Sequence, residues 1–306
     1  MKEGLISSYT HMREEELLQH YGTSFSVWAE RYAFVLCHRQ GLAINYFVSV
    51  PFCKNKCHFC DLPMEGVTPS DKYIDDLLWQ MAFVKHDFDW NADAYFWFGA
   101  GTTTVMSTAQ FLRIASFITC NPKCIEADLG TCHKVFEWCK ETSISTLSLG
   151  VQTLSEQKRI KYNIQRSFRG NVTETILETY ELCIKYGIKL NIDFICFEDD
   201  CNESFEEVER FLGKLQLDVS IYPYVPYFSS PEYEQKVVLD ARYKSIDRFM
   251  RSQSYTQMSA NGYYSLQPDQ VLRRYFWSDY VIGIGKYGRI VPKTHCIKNY
   301  GTHMHG

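Results

Sequence analysis

The sequence predicts an α/β fold: a partial (β/α)6 TIM-like barrel with a helical N-terminal lead-in and a small C-terminal appendage. Three observations carry this. Short apolar runs rich in β-branched and aromatic residues recur along the chain, stretches of helical period separate them, and 306 residues suit a large α/β domain. Residues 1–40 read as the lead-in. The first strand falls at Tyr46–Val50, followed by a helix over Asp71–Lys85 that Ser70 is placed to cap. A second strand at Tyr95–Phe98 precedes a helix over Thr108–Ile118, and a weaker strand at Cys124–Ala127 precedes one over Thr131–Glu141. Thr146–Gly150 is the next strand. The helix Val172–Tyr186 ends at Gly187, where a helix C-cap belongs. Leu190–Cys196, the helix Ser204–Leu215 and Val219–Tyr222 complete six units. Near-continuous apolar strands predict a parallel sheet covered by helices. The barrel is expected over 41–231 and the appendage over 232–306, with the chemistry at the carboxyl ends of the strands.

Composition removes several functional classes. Lys and Arg total 32 against 36 Asp and Glu, a formal net charge of −4 with no basic block, so no nucleic-acid partner is expected. A hydrophobic content of 45% excludes a disordered chain. No apolar run reaches the roughly 18 residues of a membrane span. The opening MKEGLISSYTHMREEELLQ contains no apolar stretch suited to an export signal. Twelve cysteines therefore read as reduced thiols or metal ligands, and a cytoplasmic enzyme is expected.

Directly after the first strand, Pro51-Phe52-Cys53-Lys54-Asn55-Lys56-Cys57-His58-Phe59-Cys60 sets three cysteines in C-x3-C-x2-C spacing. Thiolates are the soft ligands that iron–sulfur clusters require, and a compact loop can bring three to one cubane. Three ligands leave one iron of a four-iron cluster open to a small molecule. The other readings are three unrelated thiols or a structural zinc site, which wants a fourth ligand where only His58, wedged inside the triplet, is near.

The triplet after a first barrel strand is the signature of the radical S-adenosylmethionine superfamily. The chain resembles one branch of it, that of oxygen-independent coproporphyrinogen III oxidase and its relatives. The resemblance rests on Val50-Pro51-Phe52-Cys53 with Cys57-His58-Phe59-Cys60, on Gly99-Ala100-Gly101-Thr102-Thr103-Thr104 and on Ser148-Leu149-Gly150-Val151-Gln152. It continues through Gln165-Arg166, Asn191-Ile192-Asp193-Phe194-Ile195 and Gly283-Ile284-Gly285, in family order. It implies a [4Fe–4S] cluster on Cys53, Cys57 and Cys60. It also implies S-adenosylmethionine on the open iron, cleaved to methionine and a 5′-deoxyadenosyl radical by an electron from a donor such as flavodoxin or ferredoxin.

Further roles follow from the same resemblance. Gly99, Gly101 and Thr102 follow the second strand, where glycines let backbone approach a ligand closely and hydroxyl or amide groups can bind a carboxylate. Ala100 stands where the family usually carries glycine, a change that a negative φ tolerates. Glu126 is implied to hold the ammonium of a first S-adenosylmethionine; read alone, it is an exposed carboxylate at a helix start. Gln152, Arg166 and Asp193, with Phe59 and the Gly101-Thr102 turn, are implied to hold a second molecule, and Tyr224 and Val225 to offer backbone contacts. Read alone, Asp193 is as readily a helix N-cap or half of a buried ion pair.

The chain also departs from the branch. Phe47, at a cofactor-binding position, and Ser49 stand where coproporphyrinogen oxidase carries Tyr and His, which counts against decarboxylation. A related haem chaperone carries a His before the Gly-Ile-Gly turn, whereas Arg273-Arg274-Tyr275-Phe276-Trp277 has none. The family's carboxy-terminal helical domain would begin after about Asn299, where Tyr300–Gly306 remain. Two nucleoside sites with a changed substrate face resemble class C radical methylases. The leading expectation is therefore methyl or methylene transfer to an sp2 carbon of a small unsaturated or aromatic substrate. The alternatives are a porphyrin- or haem-directed oxidoreductase and a haem-binding or trafficking protein.

Cys120, Cys124, Cys132 and Cys139 form a second group. An auxiliary iron–sulfur or zinc site is the alternative there; buried thiols are expected, because Cys132 and Cys139 share a helix face with core positions. Cys37, Cys183, Cys196, Cys201 and Cys296 read as packing residues, and His303 and His305 as part of a frayed tail. The run Ile221-Tyr222-Pro223-Tyr224-Val225-Pro226-Tyr227-Phe228 forms either a packed loop or a flat wall at the barrel mouth.

Overall fold

The structure is a computed structural model. It describes residues 24–60, 62, 64–88, 90, 94–118, 121–165, 168–197, 211–212, 215, 217–223, 248–258, 263–269, 278–287 and 290–292. Helix α1 (Ser24–His38) leads into β1 (Ile44–Ser49), and α2 (Asp71–Asp87) into β2 (Phe96–Gly99). Then come α3 (Thr108–Ala115), β3 (Lys123–Asp128), α4 (Lys134–Trp138), β4 (Thr146–Gln152), α5 (Glu156–Lys161) and α6 (Val172–Tyr186). The strands β5 (Lys189–Cys196), β6 (Asp218–Pro223), β7 (Thr256–Gln257), β8 (Tyr263–Ser265), β9 (Tyr280–Ile284) and β10 (Ile290–Pro292) follow.

The ten strands among the described residues form one sheet in the order β10-β9-β1-β2-β3-β4-β5-β6-β8-β7. Neighbours from β1 to β6 pair in parallel, as a (β/α) partial barrel requires. The residues expected to form an appendage are part of this sheet: β9 pairs in parallel with β1, and β8 runs antiparallel to β6. Sequence reading missed these strands because each is short and pairs with a distant segment.

Local chemistry sets the helix ends. Ser70 Oγ accepts from the Tyr73 N–H at 3.2 Å at the start of α2. Gly187 ends α6 at φ 67°, the left-handed conformation that glycine adopts without penalty. The helix expected over Thr131–Glu141 narrows to Lys134–Trp138. Asp128 holds the preceding turn, accepting Thr131 Oγ1 on its carboxylate at 2.5 Å and the Cys132 N–H on its carbonyl at 2.9 Å. The last turn of Thr108–Ile118 tightens into a 3-10 turn at Ser116–Ile118. Of the helix expected over Ser204–Leu215, only residues 211, 212 and 215 are among those described.

The strands are not continuously apolar; they alternate. One face carries Val48, Phe96, Phe98, Ile125, Leu147, Leu149, Ile192, Val219 and Ile221, which bury against the helices in the main core. The other face lines the barrel interior with Asn45, Glu126, Thr146, Ser148, Asn191, Asp193 and Ser220, joined by Tyr95, Trp97, Cys124 and Phe47. A sheet that puts its apolar face under helices and its polar face into a lumen leaves the lumen free for chemistry. Cys37, expected to pack, is exposed on α1, while Cys183 is buried. Cys120, Cys201 and Cys296 lie outside the described residues.

Candidate active site

The cysteine loop leaves the carboxyl end of β1 and is tied down on two sides. On the β2 side, the Val50 N–H reaches Gly99 O at 2.6 Å and the Thr102 N–H reaches Phe52 O at 2.8 Å. On the other side, beyond β4 and α5, the His58 N–H reaches Tyr162 O at 2.9 Å and Asn163 Nδ2 reaches Lys56 O at 2.8 Å. The Cys53 N–H closes the loop on Gly66 O at 3.1 Å. Cys53, Cys57 and Cys60 are all part-exposed.

Their sulfurs sit among donors. Cys53 Sγ is 3.4 Å from Thr102 Oγ1, and the Gln165 backbone N–H points at Cys57. Burial pushes the Cys57 thiol up to about 11, with the Cys60 and Cys53 charges adding to the rise. Cys53 is also raised, chiefly by burial and against the Thr102 hydrogen bonds. Three thiolates so close repel one another, and bound iron cations reverse that balance. Among the described residues no three Cys, His, Asp or Glu side chains converge on one point as a mononuclear zinc site needs. In a cubane each cysteine binds its own iron, so three part-exposed thiols spaced along one loop suit that group.

Beside this loop the lumen holds two carboxylates. Glu126, on β3, accepts from Trp97 Nε1 at 2.7 Å and from the Ala100 N–H. Burial, with the Asp193 charge, pushes its carboxyl up to about 8. Asp193, on β5, takes Ser148 Oγ at 3.0 Å and Asn191 Nδ2 at 2.8 Å. Asn191 Nδ2 also reaches Ser148 Oγ at 2.8 Å, and Asn191 Oδ1 accepts from Ser220 Oγ at 3.2 Å. Burial raises the Asp193 carboxyl to about 6, although these donors favour the carboxylate. Asp193 is therefore a lumen residue inside β5 and caps no helix.

Several expectations change in this light. A Cβ at Gly101 would lie 2.5 Å from Val50 O and 2.7 Å from Phe52 O, so this glycine admits the cysteine loop's backbone. A Cβ at Gly99 would collide with the Glu126 carboxylate, so Gly99 makes room for that side chain. Ala100 has φ 70°, not the negative value expected, and this turns its N–H onto Glu126. Glu126 belongs to a strand and is largely shielded, so the exposed helix-start reading fails. Gln152 adopts φ 71° at a break in the β4–β5 register and folds back over Gly150.

Phe47 packs in the lumen with Tyr95, Trp97, Cys124 and Met258. Phe59 joins Tyr162, Ile164 and Phe197 beside Cys57, meeting Phe197 edge-on at 6.3 Å. Ser49 Oγ donates to Lys286 O at 2.6 Å and is a structural tie. Arg166, Tyr224, Val225 and 273–277 lie outside the described residues. Cys124 faces the lumen, whereas Cys132 packs on Leu129 O and Thr179, so these two thiols do not meet. Sequence reading gave no role to Trp97, Ser148, Asn191, Ser220 or Arg159. The alternation Leu147-Ser148-Leu149 and Leu190-Asn191-Ile192-Asp193 was the available signal for the lumen face.

The family model described as the Radical SAM superfamily matches residues 47–212, more than half of the chain. The chain belongs to the radical S-adenosylmethionine superfamily. The cofactors of this superfamily are a [4Fe–4S] cluster and S-adenosylmethionine, and the donor set on the cysteine loop fits the cluster. A curated relative, the haem chaperone HemW of Buchnera aphidicola, is 22% identical over 296 residues, covering 82% of this chain and 71% of its own. Coproporphyrinogen III oxidase (HemN) from Escherichia coli superposes with a TM-score of 0.66 at 17% identity, over 86% of this chain and 68% of that one. Streptococcus suis SuiB bound to S-adenosylmethionine superposes with a TM-score of 0.52 at 14% identity, over 98% and 73%. These solved structures share the fold of this radical S-adenosylmethionine enzyme. No helix among the described residues is long and apolar enough to cross a membrane.

Proposed function

We propose that this radical S-adenosylmethionine enzyme is directed at a tetrapyrrole, a porphyrin or haem that it oxidises or carries. The observation that supports this most is the haem chaperone relative, matched over most of both chains. Methyl transfer to an sp2 carbon, which the sequence favoured, is supported less well by the relatives. It stays as the second reading because two shielded carboxylates, Glu126 and Asp193, share one lumen.

When bound, the cluster and S-adenosylmethionine supply reductive cleavage of the sulfonium to a 5′-deoxyadenosyl radical. Cys53, Cys57 and Cys60 would hold the cluster. Glu126, oriented by Trp97 and Ala100, accepts an ammonium group; a cation there would draw off the proton that burial retains. Asp193, fixed by Ser148 and Asn191, accepts ribose hydroxyls. Thr102 orients Cys53 and offers a hydroxyl to a carboxylate. The Phe47–Trp97 wall of the lumen excludes water beside Glu126. The division at 41–231 and 232–306 is proposed as one of sequence blocks and not of separable units, because β9 of the second pairs with β1 of the first.

The test is anaerobic. Haem and a porphyrin are each titrated into reconstituted protein, and 5′-deoxyadenosine and S-adenosylhomocysteine are quantified with S-adenosylmethionine and dithionite. Stoichiometric haem binding supports the tetrapyrrole reading. Absence of haem and porphyrin binding together with S-adenosylhomocysteine formation would overturn it in favour of methyl transfer.

A further inference from the structure

Helix α5 and the turn after it press against the cysteine loop. His58 and Lys56 are bonded to Tyr162 and Asn163, and Cys57 packs on the Tyr162–Ile164–Phe197 cluster. Asn163 and Gln165 both adopt left-handed backbone, at φ 53° and 43°. That doubled reversal brings the Gln165 N–H onto Cys57, and the Gln165 side chain is itself clamped between Gly150 O and the Leu129 N–H.

Arg159 sits at this junction. Its carbonyl accepts the Ile164 N–H at 2.8 Å, which fixes the turn, and its guanidinium lies 5.4 Å from the Phe168 ring centroid. The side chain is only 4% exposed, and Nη1 is buried with no hydrogen-bond partner. The carboxylate paired with it, Glu156 at 3.5 Å from Nε, is 76% exposed and so a weak partner. Arginine stays charged in proteins, and a buried charge needs a compensating one. Among the described residues, its charge is also felt at Cys57. A cluster loaded on the cysteine loop would supply such an anion. A four-iron core of charge +2 held by three thiolates is a monoanion, and one added electron makes it a dianion.

We propose that Arg159 is a positioning residue for the cluster, holding a fixed, buried positive charge on the turn that packs against the cysteine loop, where it favours the one-electron-reduced state. The inference rests on the reading that Cys53, Cys57 and Cys60 hold the cluster. In the step it governs, a low-potential one-electron donor is oxidised, the cluster gains that electron, and no bond forms or breaks. The guanidinium favours the more negative product, so it raises the midpoint potential and lets a weaker reductant prime the enzyme.

The test is a redox titration of reconstituted full-length protein followed by electron paramagnetic resonance, with iron content measured alongside. Arg159→Met should lower the midpoint by on the order of tenfold in the reduction equilibrium, about 59 mV for a one-electron couple. Arg159→Lys should stay close to the parent. Glu156→Gln removes the opposing carboxylate and should move the midpoint the other way. An Arg159→Met protein with full iron and an unchanged midpoint would overturn the proposal. If that variant does not load iron, Arg159→Gln decides: a lowered midpoint supports the proposal, and an unchanged or raised one overturns it. A parent protein that holds no cluster would instead sink the cluster reading, so the two failures are distinguishable.

Discussion

Gly101→Ala is the most demanding substitution for the cysteine loop. The new Cβ would meet only backbone, with Val50 O at 2.5 Å, Phe52 O at 2.7 Å and Phe52 N at 2.8 Å, where ordinary contact begins at 3.4 Å. The end of β1 would have to retreat by about 0.9 Å, and no rotamer can absorb that. Overpacking of this kind costs about 1–3 kcal/mol. The displaced Phe52 carbonyl also loses the Thr102 N–H it accepts at 2.8 Å, worth about 1 kcal/mol. The expected loss is therefore about 2–4 kcal/mol, read as the urea midpoint of the iron-free protein. Iron uptake should fall with it, because the same movement shifts Cys53. Gly99→Ala is the control. There the obstructing atoms are the end of the Glu126 side chain, which can swing away at the expense of its bond from Trp97. That variant should load iron and lose S-adenosylmethionine affinity. Gly101→Ala within about 0.5 kcal/mol of the parent, with full iron, would refute the packing argument.

Three further outcomes are expected. Glu126 has an ordinary carboxyl value of 4.5 unfolded and about 8 folded, so the folded state binds the extra proton between them. Stability of the ligand-free protein should fall as pH rises through that window, by at most about 1.4 kcal/mol per unit, and Glu126→Gln should flatten the slope in urea titrations. Ala100→Gly relieves a left-handed alanine at φ 70°. The relief of about 1–2 kcal/mol, less the entropy glycine adds to the unfolded chain, predicts a gain of about 0.5–1 kcal/mol in the same assay. Asn191→Ala strips partners from Asp193, Ser148 and Ser220 at once and should cost about 2–3 kcal/mol without reducing iron content.

What could be read from the sequence was what local chemistry dictates. Ser70 and Gly187 announce helix ends by themselves, and α6 runs over Val172–Tyr186 as its period predicts. The cysteine triplet is three residues of one loop, so its spacing carries its meaning. The lumen was harder to see. Ser148, Asn191 and Asp193 meet only when β4 and β5 pair, and their apolar neighbours made the strands look continuous. Ala100, Gln152, Asn163 and Gln165 carry no glycine to signal their left-handed backbone, so the turn that packs α5 against the cysteine loop had no local mark. The strand Tyr280–Ile284 was invisible for a related reason: its partner β1 lies more than two hundred residues earlier.

The central claim is that the cysteine loop holds a cluster whose open iron takes S-adenosylmethionine beside Glu126. Its most direct test is the electron paramagnetic resonance spectrum of the reduced, reconstituted protein with and without S-adenosylmethionine, in the parent and in Glu126→Gln. The account predicts a cluster signal that S-adenosylmethionine alters in the parent and alters only at much higher concentration in the variant. A cluster signal in the parent that S-adenosylmethionine leaves unchanged would contradict it.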